Sequence, residues 1–116
     1  MFVAENSLSG AVVDAAIEVH RALGGPGLLE STYEEALAHE LRSRHVEIER
    51  QKSVPILYKG HPLATPLRLD LLVGGKVVVE CKATTAYNSV FEAQVLTYLR
   101  LLNLRLGLVL NFGEKL

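Results

Sequence analysis

Three charged residues stand in two of the most apolar stretches of the chain. Asp70 precedes Leu-Leu-Val, and Glu80 and Lys82 end a run of valines. Side chains on a strand alternate between faces, so Glu80 and Lys82 point the same way and Cys81 points opposite. Two carboxylates, a backbone carbonyl (for which Cys81 is the candidate) and waters suit Mg²⁺ or Mn²⁺. The pattern predicts a metal site at which Lys82 orients water or stabilises charge on a phosphate.

The length of the turn at Gly74-Gly75 decides whether the two carboxylates meet. A two-residue loop pairs Asp70 with Val79 and turns its carboxylate to the far face of the hairpin. A three-residue loop, or a bulge, pairs Asp70 with Glu80 directly. We predict the second arrangement. Facing carboxylates repel and destabilise a hairpin, and a divalent cation removes that penalty.

The alternative without a functional role is a ladder of ion pairs on a solvated sheet face. In that interpretation Glu80 pairs with Lys82 or Arg68. For an isolated match of two acids and a lysine, the ladder is the more common explanation.

Changes in the spacing of apolar residues divide the chain into predicted elements. The helices are 9–23, 28–43 and a third from Asn88 or Ser89 to 102, and the strands are 46–58, 67–73, 76–82 and 105–111. Glycines at 24–27 separate the first two helices, Pro55 suggests an edge or a bulge, and 59–62 is a turn. Ser89 and Glu92 fit a capping box. The last strand is apolar enough to lie inside a sheet. This order predicts an α/β sandwich with a mixed sheet.

Size and composition indicate one ordinary globular domain spanning residues 1–116, half of them hydrophobic. The single cysteine, Cys81, excludes an internal disulfide and a thiolate zinc site. The first six residues lack the pattern of a signal peptide, and no apolar run is long enough to span a membrane. We therefore expect a cytoplasmic protein.

The formal net charge of −1 restricts the partners. Proteins that coat nucleic acid non-specifically carry a positive excess, since phosphate neutralisation supplies most of that affinity. Any contact with nucleic acid must therefore be local, aided by a partner, or mediated by a metal.

The chain resembles the family named for its Gly-x-x-Glu-x-x-Tyr motif, which belongs to the PD-(D/E)XK nuclease superfamily. The motif stands here as Gly27, Glu30 and Tyr33. The resemblance extends over most of the chain and is carried by residues 17–21, 28–37, 68–73, 79–83, 92–99 and 111–113.

This resemblance implies a restriction-endonuclease-like αβββαβ core, with a mixed sheet flanked by helices and an extra N-terminal helix. Asp70 and Glu80 match the metal-binding acids and Lys82 the catalytic lysine. Glu30 matches a third acid on a helix, although a glutamate also suits the first turn of any helix. Gln94 matches a residue beside the lysine, one turn before Tyr98 on the same helical face. Tyr33 is more simply explained by core packing.

We therefore expect a Mg²⁺- or Mn²⁺-dependent phosphodiesterase acting on nucleic acid. One alternative is an inactive accessory that keeps the fold and binds nucleic acid or protein. Another is a homodimeric module that pairs through the apolar strand at 106–110, if that edge is exposed.

Overall fold

The change from helical to alternating periodicity near residue 46 is reproduced in the computed structural model, which describes residues 4–116. The helices are α1 Glu5–Ala22, α2 Glu30–Ser43 and α3 Val90–Leu102. The strands are β1 Ile48–Val54, β2 Leu57–Tyr58, β3 His61–Pro62, β4 Leu67–Val73, β5 Val77–Lys82 and β6 Leu106–Asn111. The expectation about a signal peptide falls partly on residues 1–3, outside the described residues. Within 4–116, no helix has the length and apolar character to cross a membrane.

Four strands form one mixed sheet in the order β1-β4-β5-β6. The β1–β4 and β4–β5 pairs are antiparallel and β5–β6 is parallel. Helices α1 and α2 pack on one face, and α3 packs on the other. The predicted α/β architecture, similar to a restriction endonuclease, is confirmed. Because β5 is central and covered on both faces, its residues from Val77 to Cys81 are buried.

Several element boundaries differ from the predicted ones. Helix α1 begins at Glu5 rather than residue 9, and α2 begins at Glu30 because Leu29 is extended, with φ −73° and ψ 149°. The single long strand predicted for 46–58 is wrong. It ends at Val54, since Pro55 has no N–H to donate to a ladder. The predicted turn 59–62 is shorter, because its last two residues pair with β2.

The prediction that the last strand lies inside the sheet is wrong. Within residues 4–116, strand β6 has one neighbour, β5, and all six of its residues are partly exposed. An apolar sequence shows that helices cover both faces of a strand, but it does not show whether a second strand adjoins it. The exposed edge meets the condition attached to the homodimer alternative.

The predicted capping box at the start of α3 is also wrong. Ser89 has helical φ and ψ of −61° and −14°, and its side chain makes no capping hydrogen bond. Asn88 Oδ1 accepts the hydrogen bond from Val90 N instead, at 2.9 Å. The residue before the predicted serine therefore satisfies the first free N–H of the helix.

Tyr33 fixes the entry to α2. Its ring is fully buried and stacks on Phe112, with the centroids 4.7 Å apart. Its hydroxyl donates to Gly25 O at 2.7 Å and accepts from Leu28 N at 3.2 Å. The tyrosine thus ties the glycine-rich loop to the core, as expected for a packing residue.

Candidate active site

The turn between β4 and β5 has three residues, Gly74 to Lys76, as predicted. Val73 pairs with Val77, and the register continues to Leu71 opposite Val79. Both glycines have positive φ, 59° and 69°, which glycine adopts without steric cost. Continued by one residue, this register brings Asp70 opposite Glu80.

At that position the side-chain carboxylates of Asp70 and Glu80, rather than backbone carbonyls, accept the hydrogen bonds from the backbone N–H groups of the opposite strand. Asp70 N donates to Glu80 Oε1 at 2.9 Å, and Cys81 N donates to Asp70 Oδ2 at 2.8 Å. The ladder of Cα partners between β4 and β5 ends just before them. Asp70 and Glu80 are therefore held together in the gap between two strands.

The electrostatics of this gap favour the protonated acids. The pKa of Glu80 is raised from 4.5 to about 7, chiefly by burial; the hydrogen bond from Asp70 N opposes this rise, and the charge of Asp70 adds to it. Burial also raises the pKa of Asp70 from 3.8 to about 6, against the opposing hydrogen bond from Cys81 N. Two carboxyls with pKa values this close to neutrality are typical of functional sites.

The carbonyl of Cys81 faces the same gap. In a strand, the N–H and C=O of one residue project to the same side, and Cys81 N already donates to Asp70. The next carbonyl, of Lys82, points the other way and accepts from Phe112 N at 2.8 Å. The thiol of Cys81 is fully buried in the core, and burial raises its pKa. The backbone oxygen, rather than the sulfur, is the group available to the site.

Lys82 lies beside the carboxylates and against an aromatic ring. Its Nζ is 4.7 Å from the centroid of Phe91, the second residue of α3, and its charge lowers the pKa of Glu80. Within residues 4–116, Glu80 forms no ion pair with Lys82 or Arg68, and it is only 4% exposed. The solvated ion-pair ladder is therefore wrong.

Gln94 is exposed on α3, on the same helical stripe as Phe91 and Tyr98. Phe91 contacts Lys82, and the Tyr98 hydroxyl donates to Arg68 O at 3.1 Å. Burial raises the pKa of Tyr98, and so do the charges of Glu80 and Asp70. Gln94 thus lies between two residues that touch the site strands. No hydrogen bond joins it to the site among the described residues.

A comparison with known families fits this arrangement. The model of the PD-(D/E)XK nuclease superfamily matches residues 6–116. The chain belongs to this superfamily. Searches of curated proteins and of solved structures find no match.

In this superfamily member, the helix acid predicted from the motif stands apart from the two strand acids. Glu30 is the exposed first residue of α2, and it acts on Asp70 only through its charge, which raises the pKa of that carboxyl. Within residues 4–116, no three side chains of the His, Cys, Asp and Glu types are grouped to hold a metal. Glu30 as a third metal-binding acid stays a prediction.

The acid that adjoins Asp70 is Glu34, one helical turn later, which the sequence analysis missed. Glu34 is only 5% exposed, and it raises the pKa of Asp70 more than Glu30 does. Arg50 Nη2 donates to Glu34 Oε2 at 3.0 Å, and Gln51 Nε2 donates to Glu34 Oε1 at 2.8 Å. We call these three residues, Glu34, Arg50 and Gln51, the helix–strand clamp.

Gln51 has a left-handed backbone, with φ 51°. The β1–β4 register passes from Arg50 opposite Leu71 to Lys52 opposite Leu69, and it skips Gln51 and Asp70. A left-handed residue other than glycine, asparagine or aspartate is uncommon in a strand and carries a conformational cost. The clamp therefore holds a strained residue beside Asp70. Nothing in the alternating sequence of β1 indicates it.

Proposed function

We propose that residues 1–116 form a single nuclease-like domain that hydrolyses phosphodiester bonds of nucleic acid with Mg²⁺ or Mn²⁺. Membership of the nuclease superfamily supports the nuclease type of function. The observation that carries the metal dependence is the pair of facing carboxyls, Asp70 and Glu80, each bonded to the backbone of the other strand.

The chemistry of the gap fits a divalent cation. Asp70, Glu80 and the carbonyl of Cys81 supply oxygen atoms only, which is the donor set that Mg²⁺ and Mn²⁺ prefer. Both carboxyls have raised pKa values, so the metal-free site binds protons that a cation replaces. A bound cation supplies Lewis acidity toward a phosphate and lowers the pKa of a water.

The remaining roles belong to Lys82 and Gln94. The ammonium of Lys82 supplies positive charge at the mouth of the gap, where a phosphate gains negative charge in the transition state. Gln94 presents an amide on the helix face that adjoins this lysine. Glu30, exposed at the N-terminus of α2, is the outer acid of the proposal and would reach a metal only through water.

Metal titration by calorimetry tests the first part of the proposal. The wild-type protein should bind Mn²⁺, and Asp70→Asn should abolish that binding. Glu49→Gln is a matched control, because Glu49 is an exposed acid of β1. Absence of Mn²⁺ binding by the wild-type protein would overturn the proposal.

Cleavage of labelled oligonucleotides in Mg²⁺ tests the second part. Lys82→Ala should keep the affinity for Mn²⁺ and lose cleavage, while Lys115→Ala, an exposed lysine near the end of the chain, should keep both. Cleavage that persists in Lys82→Ala would mean that the assigned roles are wrong. Metal binding without cleavage by the wild-type protein would favour the second candidate, a fold-retaining accessory.

One observation favours the remaining alternative, a homodimer or a complex with another protein partner. Strand β6 is an exposed sheet edge whose six residues carry no charge, and such edges pair readily with another strand. Sedimentation of the protein over a range of concentrations tests this point. A monomer at all concentrations would count against self-association.

A further inference from the structure

Between β1 and β4 the chain forms a projecting arm, residues 55–66. Strands β2 and β3 pair with each other, and all four of their residues are exposed. The tip is Lys59-Gly60, with φ 49° and 80°, the positive values that a tight two-residue hairpin turn requires. The arm is therefore a defined hairpin with both faces in solvent.

The arm leaves the sheet at the end that carries the site. Val54, the last residue of β1, pairs with Leu67, the first of β4. Strand β5 runs antiparallel to β4, so Lys82, the last residue of β5, lies at the end of the sheet where β4 begins at Leu67. The base of the arm and the lysine of the site thus lie at the same end of the sheet.

The charge around the arm differs from that of the whole chain. No acid occurs between Glu49 and Asp70, whereas the chain as a whole has a formal charge of −1. Lys52 and Arg50 within this stretch are paired with acids. Lys59 and Arg68 form no ion pair in the described part of the chain. Their two charges are available to an anionic partner.

The arm also exposes apolar surface. Tyr58 is 60% exposed and Leu57 63%. Lys59 Nζ lies 5.5 Å from the centre of the Tyr58 ring. An exposed aromatic ring next to an unpaired cation is the combination by which proteins hold a strand of nucleic acid, with a base on the ring and a phosphate on the cation.

We propose that the arm binds single-stranded nucleic acid, with an unpaired base stacked on Tyr58 and phosphates on Lys59 and Arg68. This inference rests on the proposed function, for which it names the substrate class. Stacking on an exposed ring needs a base whose face is free, and a duplex hides those faces. Two unpaired cations supply only a small phosphate contribution, so stacking must provide much of the affinity.

Fluorescence anisotropy of the full chain in EDTA tests the proposal without cleavage. The probes are a short oligothymidylate, the matching oligouridylate and a blunt duplex of equal length, at about 50 mM salt. One of the single strands should bind more tightly than the duplex. Tyr58→Ala should weaken that binding about tenfold, and Tyr58→Phe, which keeps the ring, should restore it.

Two controls separate the arm from the fold and from charge in general. Leu96→Ala removes an equally exposed apolar side chain of α3, 62% exposed, and should leave binding unchanged. Lys59→Ala should reduce the slope of log affinity against log salt by about 0.7, the value for one phosphate on a single strand. Lys115→Ala should leave the slope unchanged.

Binding of the duplex as tight as that of both single strands, or wild-type affinity in Tyr58→Ala, would overturn the proposal. Failure of the arm is distinguishable from failure of the proposed function. Tyr58→Ala should retain Mn²⁺ binding, which Asp70→Asn should lose. If the protein binds a single strand through the Tyr58 ring but binds no metal, the proposal for the arm is supported and the proposed nuclease function is contradicted.

Discussion

The buried carboxyl of Glu80 should make the metal-free protein less stable as pH rises. Its pKa is about 7 in the folded state against 4.5 for a free side chain. Between these values the folded protein holds a proton that the unfolded chain has lost. The stability contributed by the protonated acid is therefore complete below about pH 4.5 and is lost as pH rises through about 7.

The size of this effect follows from the pKa values. Since one pKa unit corresponds to about 1.4 kcal/mol, the rise from 4.5 to about 7 destabilises the ionised, metal-free protein by about 3 kcal/mol. Glu80→Gln removes the charge and keeps an oxygen to accept from Asp70 N, but its new N–H₂ group needs a partner. The unpartnered N–H₂ group offsets part of the gain. Above about pH 7 we therefore expect the free energy of unfolding of Glu80→Gln to exceed that of the wild-type protein by about 2 kcal/mol, which corresponds to about 8 °C in Tm for a chain of this size.

Thermal melts in EDTA at about pH 5 and about pH 8 measure this difference. Glu80→Gln should melt near the wild-type protein at the lower pH and well above it at the higher pH, and Glu49→Gln should follow the wild-type protein at both. Adding Mn²⁺ should raise the Tm of the wild-type protein and of Glu49→Gln, but not the Tm of Glu80→Gln. A Glu80→Gln variant that melts below the wild-type protein in EDTA at the higher pH would refute the reasoning.

Three further predictions concern the neighbours of the site and the core. Glu34→Gln should lower the pKa of Asp70, which Glu34 raises, in a carboxyl-carbon NMR titration; an unchanged pKa would contradict the contact. Tyr33→Phe should cost about 1–2 kcal/mol in urea unfolding, because the hydroxyl makes two hydrogen bonds at a fully buried position; wild-type stability would contradict this. Gly113→Ala should destabilise by about 2 kcal/mol or more, since an added Cβ would overlap the backbone of Thr84. Gly10→Ala, with open space around it, is the matched control and should be stabilising.

The pairing of Asp70 with Glu80 was predicted correctly, although the sequence also allowed a two-residue turn that would have separated the two carboxylates. Each residue between them in β4 and β5 is apolar and strand-like, and the two glycines allow one extra turn residue. The fold class followed from periodicity in the same way, because helices and strands impose different spacing on buried residues.

Features that depend on tertiary contacts could not be predicted. Glu34 looks like any polar residue of α2 until Arg50 and Gln51 are placed against it. The left-handed φ of Gln51 opposes its local preference and is stabilised by contacts from another element. The edge position of β6 depends on the order of strands, which periodicity does not encode.

The hydrogen bonds that the Asp70 and Glu80 carboxylates accept from backbone N–H groups have a consequence for the rate at which a ligand enters. Each carboxylate uses one oxygen, Oδ2 or Oε1, to hold the backbone of the opposite strand, and its second oxygen lies outside those backbone contacts. Asp70 also shares a side-chain hydrogen bond with Glu34, whose proton a cation would replace. The backbone contacts and a bound ligand would thus use different oxygen atoms of the same two side chains. An ion at the proposed site would therefore bind without breaking the backbone contacts that position the two carboxylates. Loss of the ion's own water, rather than movement of the chain, should then limit its association.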